Sequence, residues 1–261
     1  MLLAMEPGDC EGCDDARSAR GFGVLPAIYG DMIAVSKTMR ALFTLLRRLE
    51  ASRAPVLIVG ETGTGKELVA RAIHEHSDAR RGEFVAINCG AIPVELAQSE
   101  LFGHQRGAFT GAFETRAGAF AQADRGTLFL DEIGELPLEL QPLLLRALEG
   151  SVAPVGSHLG RRVNVRVIAA TNRDLVHAVE AGTFRRDLYH RLKVLTLHLP
   201  PLRERPDDIT FLVARFCERA GITPPPALVL ETWRAMPWPG NARELHNAVE
   251  AYAAIGEYLP A

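Results

Sequence analysis

Gly60-Glu61-Thr62-Gly63-Thr64-Gly65-Lys66-Glu67 is the stretch on which the fold turns. It follows an apolar run, Val56-Leu57-Ile58-Val59, and opens onto a helix-like segment, Leu68-Val69-Ala70-Arg71-Ala72-Ile73-His74. Strand, glycine loop, lysine, helix is the layout of a phosphate cradle. The glycines let backbone N–H groups turn inward around an anion, and the helix N-terminus adds partial positive charge. Lys66 can reach terminal phosphates as a point charge. The spacing is G-x-x-x-x-G-K. The eighth position, however, is Glu67, where a Ser or Thr hydroxyl normally serves Mg²⁺.

Outward from this loop the chain alternates strands and helices. Upstream, the apolar residues between Ile28 and Leu49 recur at helical spacing, predicting a helix ahead of the first core strand. Downstream, strands are expected at Phe84–Asn88, Thr127–Leu130, Val163–Ala170 and Val194–Leu199. Helices are expected at Pro93–Phe102, Leu138–Leu148, Asp174–Ala181, with Asp174 as its cap, and Arg185–Leu192. Near-continuous apolar strands separated by helices imply a doubly wound α/β parallel sheet covered on both faces. Ligands of such sheets sit at the carboxyl ends of the strands, where Asn88, Asp131-Glu132 and Thr171-Asn172 fall. Pro200-Pro201 ends the alternation. A helical stripe (Ile209, Leu212, Val213, Phe216), Pro224-Pro225-Pro226 and a second stripe (Leu245, Val249, Tyr252) follow. The expected organisation is a polar mobile leader over 1–24, an α/β nucleotide-binding domain over 25–200 and a helical lid over 201–261.

The formal net charge of −3 excludes a global basic field for nucleic acid. The arginines cluster nevertheless, at 161–173, 185–191 and at Arg203 and Arg205; those that converge on a phosphate site would be functional. Cys10-Glu11-Gly12-Cys13 is a lone C-x-x-C in the leader. With no second pair or nearby histidine, it reads as two thiols rather than a zinc site. Few, unevenly placed cysteines suit a reducing cytoplasm. No apolar run approaches the ~18 residues that span a bilayer.

Leu128-Phe129-Leu130-Asp131-Glu132 delivers two acids to the sheet edge. Beside a phosphate loop, Asp131 is the natural partner of Mg²⁺, and Glu132 is placed to polarise an attacking water. Together these elements point to nucleoside triphosphate hydrolysis. Asn88 and Asn172 each end a strand, where an amide either forms a turn or orients a water or carboxylate. Gly107-Ala108-Phe109-Thr110-Gly111-Ala112 places Phe and Thr between glycines. The functional reading is a contact tip, and the alternative is a loop whose Phe tucks into the local core.

These segments, with Glu100-Leu101-Phe102-Gly103-His104 and Trp238-Pro239-Gly240-Asn241-Ala242-Arg243-Glu244-Leu245, resemble the central domain of bacterial enhancer-binding proteins. These are AAA+ ATPases that activate RNA polymerase carrying the sigma-54 factor. The resemblance covers about residues 25 to 255, and the Gly107–Ala112 loop is specific to that family. In the family, Glu after the loop lysine is usual, so Mg²⁺ is left to Asp131 and waters. The resemblance implies ATP and Mg²⁺ as cofactors and Gly60 to Glu67 as the nucleotide loop. Asn88 would hold the catalytic Glu132 inactive until a signal releases it. Asn172 would be the first nucleotide sensor and Arg243 the second. Arg185 and Arg191 would act in trans on a neighbour's nucleotide in a homo-oligomeric ring, a hexamer. Phe109 and Thr110 would engage the sigma factor of the sigma-54 RNA polymerase holoenzyme.

Two departures qualify this expectation. No sensory domain precedes residue 25, and the chain stops at Ala261, where the family continues into a helix-turn-helix DNA-binding domain. The chain is thus read either as a fragment or as a protein without its own DNA anchor. Two other readings stay open: a non-hydrolysing regulatory subunit that joins the rings of relatives, and a generic AAA+ remodeller of another client.

Overall fold

The computed structural model describes residues 25–256 except His158; the leader with Cys10 and Cys13, and residues 257–261, lie outside the described residues. The described chain opens with a hairpin, β1 (Ala27–Tyr29) and β2 (Met32–Ala34), paired antiparallel. This corrects the expectation of a helix from Ile28. Gly30 takes φ +55°, which turns the chain, and the residues on either side alternate between buried and more exposed, the period of a strand. Helix α1 (Lys37–Leu49) begins only after Ser36, whose hydroxyl accepts from the Met39 amide as its N-cap.

The core then alternates: β3 (Val56–Val59), α2 (Lys66–Glu75), β4 (Phe84–Asn88) and α3 (Val94–Phe102). A short ribbon, β5 (Gly103–His104) with β6 (Arg116–Ala117), leads to α4 (Ala119–Gln122) and β7 (Thr127–Asp131). Next come α5 (Gln141–Leu148), the ribbon β8 (Ser151–Val152) with β9 (Arg161–Arg162), and β10 (Arg166–Thr171). Helices α6 (Leu175–Glu180) and α7 (Arg186–Leu192) precede the last strand, β11 (Leu195–His198). Asp174 caps α6, its Oδ1 accepting from the amides of Val176 and His177.

Two expected elements are shorter than their apolar patterns. Helix α5 starts at Gln141 rather than Leu138, with Pro142 in its first turn. Strand β10 starts at Arg166 rather than Val163, because Val163 and Asn164 give their amides to Gly150 O and Asp124 Oδ1 instead of to the sheet.

The central sheet has the order β11-β3-β10-β7-β4, all parallel. Successive side chains divide between its faces. Leu57, Leu128, Leu130, Val167 and Ala169 face a core shared with residues of α3, α5 and α7. Val56, Ile58, Phe129, Ile168 and Ala170 face a core shared with α1, α2 and the hairpin. Burial on both faces is why these strands read as continuous apolar runs. After the sheet come α8 (Pro206–Ala220), α9 (Ala227–Ala235) and α10 (Asn241–Ile255), which enclose a separate small core around Val213, Trp233, Trp238 and Leu245. Among the described residues no helix is long and apolar enough to cross a membrane.

Candidate nucleotide site at the carboxyl ends of the strands

The register of the sheet assembles the site. Asn88 is the partner of Asp131 across β4 and β7, and Thr171 is the partner of Val59 across β10 and β3. The Gly60 amide then donates to Thr171 O, so the loop leaves the sheet still tied to its neighbour. Gly63 and Gly65 take φ of +78° and +103°, conformations that a side chain would strain. Gly65 is the N-cap of α2 and offers no side chain to its first turn. The amides of that turn therefore remain open to an anion.

Lys66 is buried, and its Nζ donates to Gly60 O at 2.9 Å and Glu61 O at 3.1 Å. Burial lowers its pKa, the charges of Asp131 and Glu132 pull it back up, and Arg243 adds to the lowering. Asp131 is pushed the other way: burial raises its pKa, while the Glu132 amide and Lys66 oppose the rise. The opposed shifts describe an ammonium and a carboxylate that share a partly dry site. The Glu132 amide lies 3.0 Å from Asp131 Oδ1. Glu132 itself has φ 51° and ψ 44°, a left-handed backbone that costs a non-glycine residue about 1–2 kcal/mol.

The asparagines separate. Asn172 Nδ2 donates to Thr62 Oγ1 at 3.2 Å, joining β10 to the loop. Asn88 Oδ1 accepts from the amides of Gly90 and Ala91, a turn-forming role, and no hydrogen bond joins it to Glu132. Gly90 lies between the two: a Cβ there would stand 2.6 Å from Glu132 Oε2 and 3.5 Å from Asn88 Oδ1. Glu67 turns its carboxylate to Arg71 one helical turn on, at 2.8 Å on the surface.

The lid lies directly on the loop. The Ala242 amide donates to Gly63 O at 3.0 Å, and a Cβ on Gly63 would overlap the Gly240 carbonyl and stand 3.2 Å from Arg243 Cβ. Asn241, fully buried with φ 54°, accepts from the Leu202 amide and donates to Glu61 Oε2 and Thr62 O. Arg205, also buried, donates to Thr64 O at 3.1 Å. Arg203 grips Glu61 with both terminal nitrogens, at 2.8 and 2.6 Å. The hydrogen bonds from Arg203 and then Asn241 hold the Glu61 carboxyl at about 2. Sequence reading missed Asn241, Arg203 and Arg205 as parts of the site. The signals were the arginine cluster after Pro201, which does converge on the loop, and the Trp238–Leu245 segment that contains Asn241.

Arg185 and Arg191 stay away from this loop within the chain. Arg185 pairs with Asp187 at 2.7 Å and Arg191 donates to Leu148 O at 3.4 Å. The second feature singled out from sequence is an exposed tip. Gly107 and Gly111 take φ of +80° and +103°, and Gly107 N closes the loop onto Ala112 O at 2.8 Å. Thr110 is exposed, Phe109 is 42% exposed and Phe113 82% exposed. The Phe109 ring leans edge-on against His104 at 5.0 Å rather than entering the core. The hairpin of β8 and β9 props the stem: Gln105 N donates to Val155 O, and Val155 N to Gly103 O.

Residues 32–198 match the sigma-54 interaction domain. The chain belongs to that family. Residues 203–257 match the AAA+ ATPase lid domain, which accounts for the helices that cover the loop. The chain is 50% identical over 236 residues to the anaerobic nitric oxide reductase transcription regulator NorR of Aeromonas salmonicida (strain A449), covering 86% of this chain and 46% of the relative. It is 47% identical over 230 residues to the DNA-binding transcriptional regulator NtrC of Rhizobium meliloti (strain 1021), covering 86% and 48%. The crystal structure of NtrX from Brucella abortus in complex with ATP superposes with a TM-score of 0.80 at 36% identity, covering 87% of this chain and 51% of that one. The ADP complex of the same protein gives a TM-score of 0.79. The chain thus spans about half the length of these relatives. It is a sigma-54 interaction AAA+ domain: an α/β fold with a five-stranded parallel sheet and a helical lid.

Proposed function

We propose that the chain hydrolyses ATP, with Mg²⁺, and uses that reaction to remodel the closed promoter complex of the sigma-54 RNA polymerase holoenzyme. The observation that carries the reading is the Lys66 ammonium, buried on the carbonyls of Gly60 and Glu61 in the field of Asp131 and Glu132. The open amides of α2, the left-handed glycines and Lys66 suit a triphosphate. The ATP and ADP complexes of NtrX support the same ligand for this chain. Bound ATP would supply the phosphoryl electrophile, and Mg²⁺, which Asp131 would hold, would neutralise charge on the transferring phosphoryl group. No cluster of three or more metal-ligating side chains exists among the described residues. One carboxylate, Asp131, with phosphate oxygens and waters is a donor set that suits Mg²⁺, which keeps most of its hydration. Glu67, paired with Arg71, contributes its backbone amide to the cradle rather than a ligand oxygen.

In this reading Lys66 binds the terminal phosphates, and Glu132 orients the attacking water and accepts its proton on a carboxylate oxygen. Asn88 would restrain Glu132 by turning its amide away from the Gly90 and Ala91 amides that it accepts from in this structure; Asn172 senses the nucleotide from β10, and Arg243 senses it from the lid. Arg185 and Arg191, whose partners in the chain are local, serve the nucleotide of a neighbouring subunit in a ring. Phe109 and Thr110, at the tip between Gly107-Ala108 and Gly111-Ala112, engage the sigma factor.

The test is ATPase activity against protein concentration for the wild type, Lys66→Ala and Thr110→Ala, alongside open-complex formation with sigma-54 holoenzyme. Specific activity that rises with concentration, is abolished by Lys66→Ala and is retained by Thr110→Ala while open complexes are lost supports the reading. Absent ATPase activity would favour a non-hydrolysing regulatory subunit. Activity without any effect on sigma-54 holoenzyme would favour a remodeller of another client.

A further inference from the structure

We propose that Arg203 and Glu61 form a latch between the lid and the phosphate loop, which makes Arg203 a positioning residue for nucleotide binding; this rests on the nucleotide-site reading above. The lid side holds four successive loop residues. Asn241 donates to Thr62 O, the Ala242 amide to Gly63 O and Arg205 to Thr64 O, at 3.0, 3.0 and 3.1 Å. Asn241 and Arg205 are buried, so these are fixed pins.

The fourth tie differs in kind. Arg203 and Glu61 are joined fork to fork, yet their side chains remain 45% and 43% exposed. An ion pair so wet adds little to stability, and it can open without unfolding anything. Its two ends sit where motion would be felt. Arg203 lies in the first turn beyond the sheet, next to Leu202, whose amide is held by Asn241. Glu61 carries two loads. Its carbonyl accepts from Lys66 and from the Thr64 hydroxyl, and its carboxylate accepts from Arg203 and Asn241.

A Lys66 ammonium that swings toward a phosphate weakens its hold on Glu61 O. Residue 61 keeps the Thr64 hydroxyl on that carbonyl, and its carboxylate is positioned from the lid side by Arg203 and Asn241. The loop conformation that suits phosphate and the lid position that holds Arg203 on Glu61 therefore favour each other, and by linkage each strengthens the other.

A double-mutant cycle on the full chain tests this, with equilibrium binding of fluorescent ATP and ADP analogues to wild type, Arg203→Ala, Glu61→Gln and the double variant. The expected result is a weakening of the ATP analogue of about fivefold in each single variant, the low end of measured couplings between sites. The double variant should be no weaker than the worse single one. Arg203→Lys, which keeps the charge and loses the fork, should fall between wild type and Arg203→Ala. Hydrogen exchange at the Ala242 amide supplies a readout on the lid: ATP should slow it in wild type, and slow it less in Arg203→Ala. Additive losses, or single variants that bind like wild type, would overturn the latch. So would a drop in melting temperature large enough to explain the lost binding, since the pair would then be structural. A wild type that binds neither analogue overturns the nucleotide-site reading, and the latch with it.

Discussion

Asp208, in the first turn of α8, offers a test of how the lid is anchored. It is fully buried, and its Oδ1 accepts from the amides of Val35 at 2.6 Å and Ser36 at 2.8 Å. Its Oδ2 accepts from the Ser36 hydroxyl at 2.7 Å, and its charge opposes the desolvation of buried Arg205. Asp208→Ala strands those three donors and leaves the Arg205 charge without its counterweight. Each stranded buried donor costs about 1–3 kcal/mol, and breaking a buried charged network from one side costs roughly 3–5 kcal/mol in all. The lower total applies where water reaches the partly buried Val35 amide. A loss of about 3–5 kcal/mol lowers the melting temperature by roughly 6–20 °C in a chain of this size. Asp208→Asn keeps an oxygen for the two amides, and its NH₂ can donate to Ser36 Oγ, so its loss should be about 1–2 kcal/mol. Urea denaturation measures both variants. Far-UV circular dichroism reports the whole chain, whereas tryptophan fluorescence reports the lid, because both tryptophans, Trp233 and Trp238, lie there. In Asp208→Ala the fluorescence transition should come first. An Asp208→Ala protein within about 1 kcal/mol of wild type, less than one stranded buried donor costs, or an Asn variant as damaged as the Ala one, would refute the reasoning.

Further outcomes follow from the site and the core. Gly63→Ala combines a strained φ with an overlap on the Gly240 carbonyl, so the lid must shift. A cost of about 1–3 kcal/mol predicts ATP-analogue affinity reduced roughly 5- to 150-fold by equilibrium titration. Arg191→Ala should bind nucleotide normally yet lack ATPase activity. Mixed with Lys66→Ala subunits it should regain a fraction, because a mixed interface can pair an intact loop with an intact arginine; no recovery at any ratio would argue against a shared site. His74, buried with its Nδ1 2.9 Å from Thr127 Oγ1, has its pKa lowered by burial. The unfolded chain therefore takes up that proton first on acidification. Stability from neutral His74 is complete above about 6.5 and declines as pH falls from there through the folded pKa. Denaturation midpoints at pH 7.5 and 5.5 should differ less in His74→Gln than in wild type; an equal difference would remove His74 as the cause.

Much of the molecule was legible in the chain itself. The apolar runs at Val56–Val59 and Thr127–Leu130 became strands of one parallel sheet, because a strand buried on both faces must be apolar nearly throughout, and Phe84–Asn88 joined them as its partly exposed edge. The hairpin at Ala27–Ala34 was not legible: Ile33 shares the spacing of the helix that follows, and only the turn at Gly30 and the cap at Ser36 separate the two elements. The early part of the pattern leading to β10 was also misleading, since hydrogen bonds to Gly150 and Asp124 draw Val163 and Asn164 off the sheet.

The site divides along the same line. Local sequence determined the phosphate loop, the two acids after β7 and the glycine-bracketed tip, because each needs only a few neighbouring residues whose backbone freedom and charge define the chemistry. Tertiary structure decided what presses on that loop. Arg203, Arg205 and Asn241 lie some 140 to 180 residues from the groups they hold, and no local period announces them. They reach the loop because the chain, after β11, folds its helices back over the carboxyl ends of the strands. That return path also sets Glu61 between Lys66 and Arg203, a position its own neighbours in sequence do not reveal.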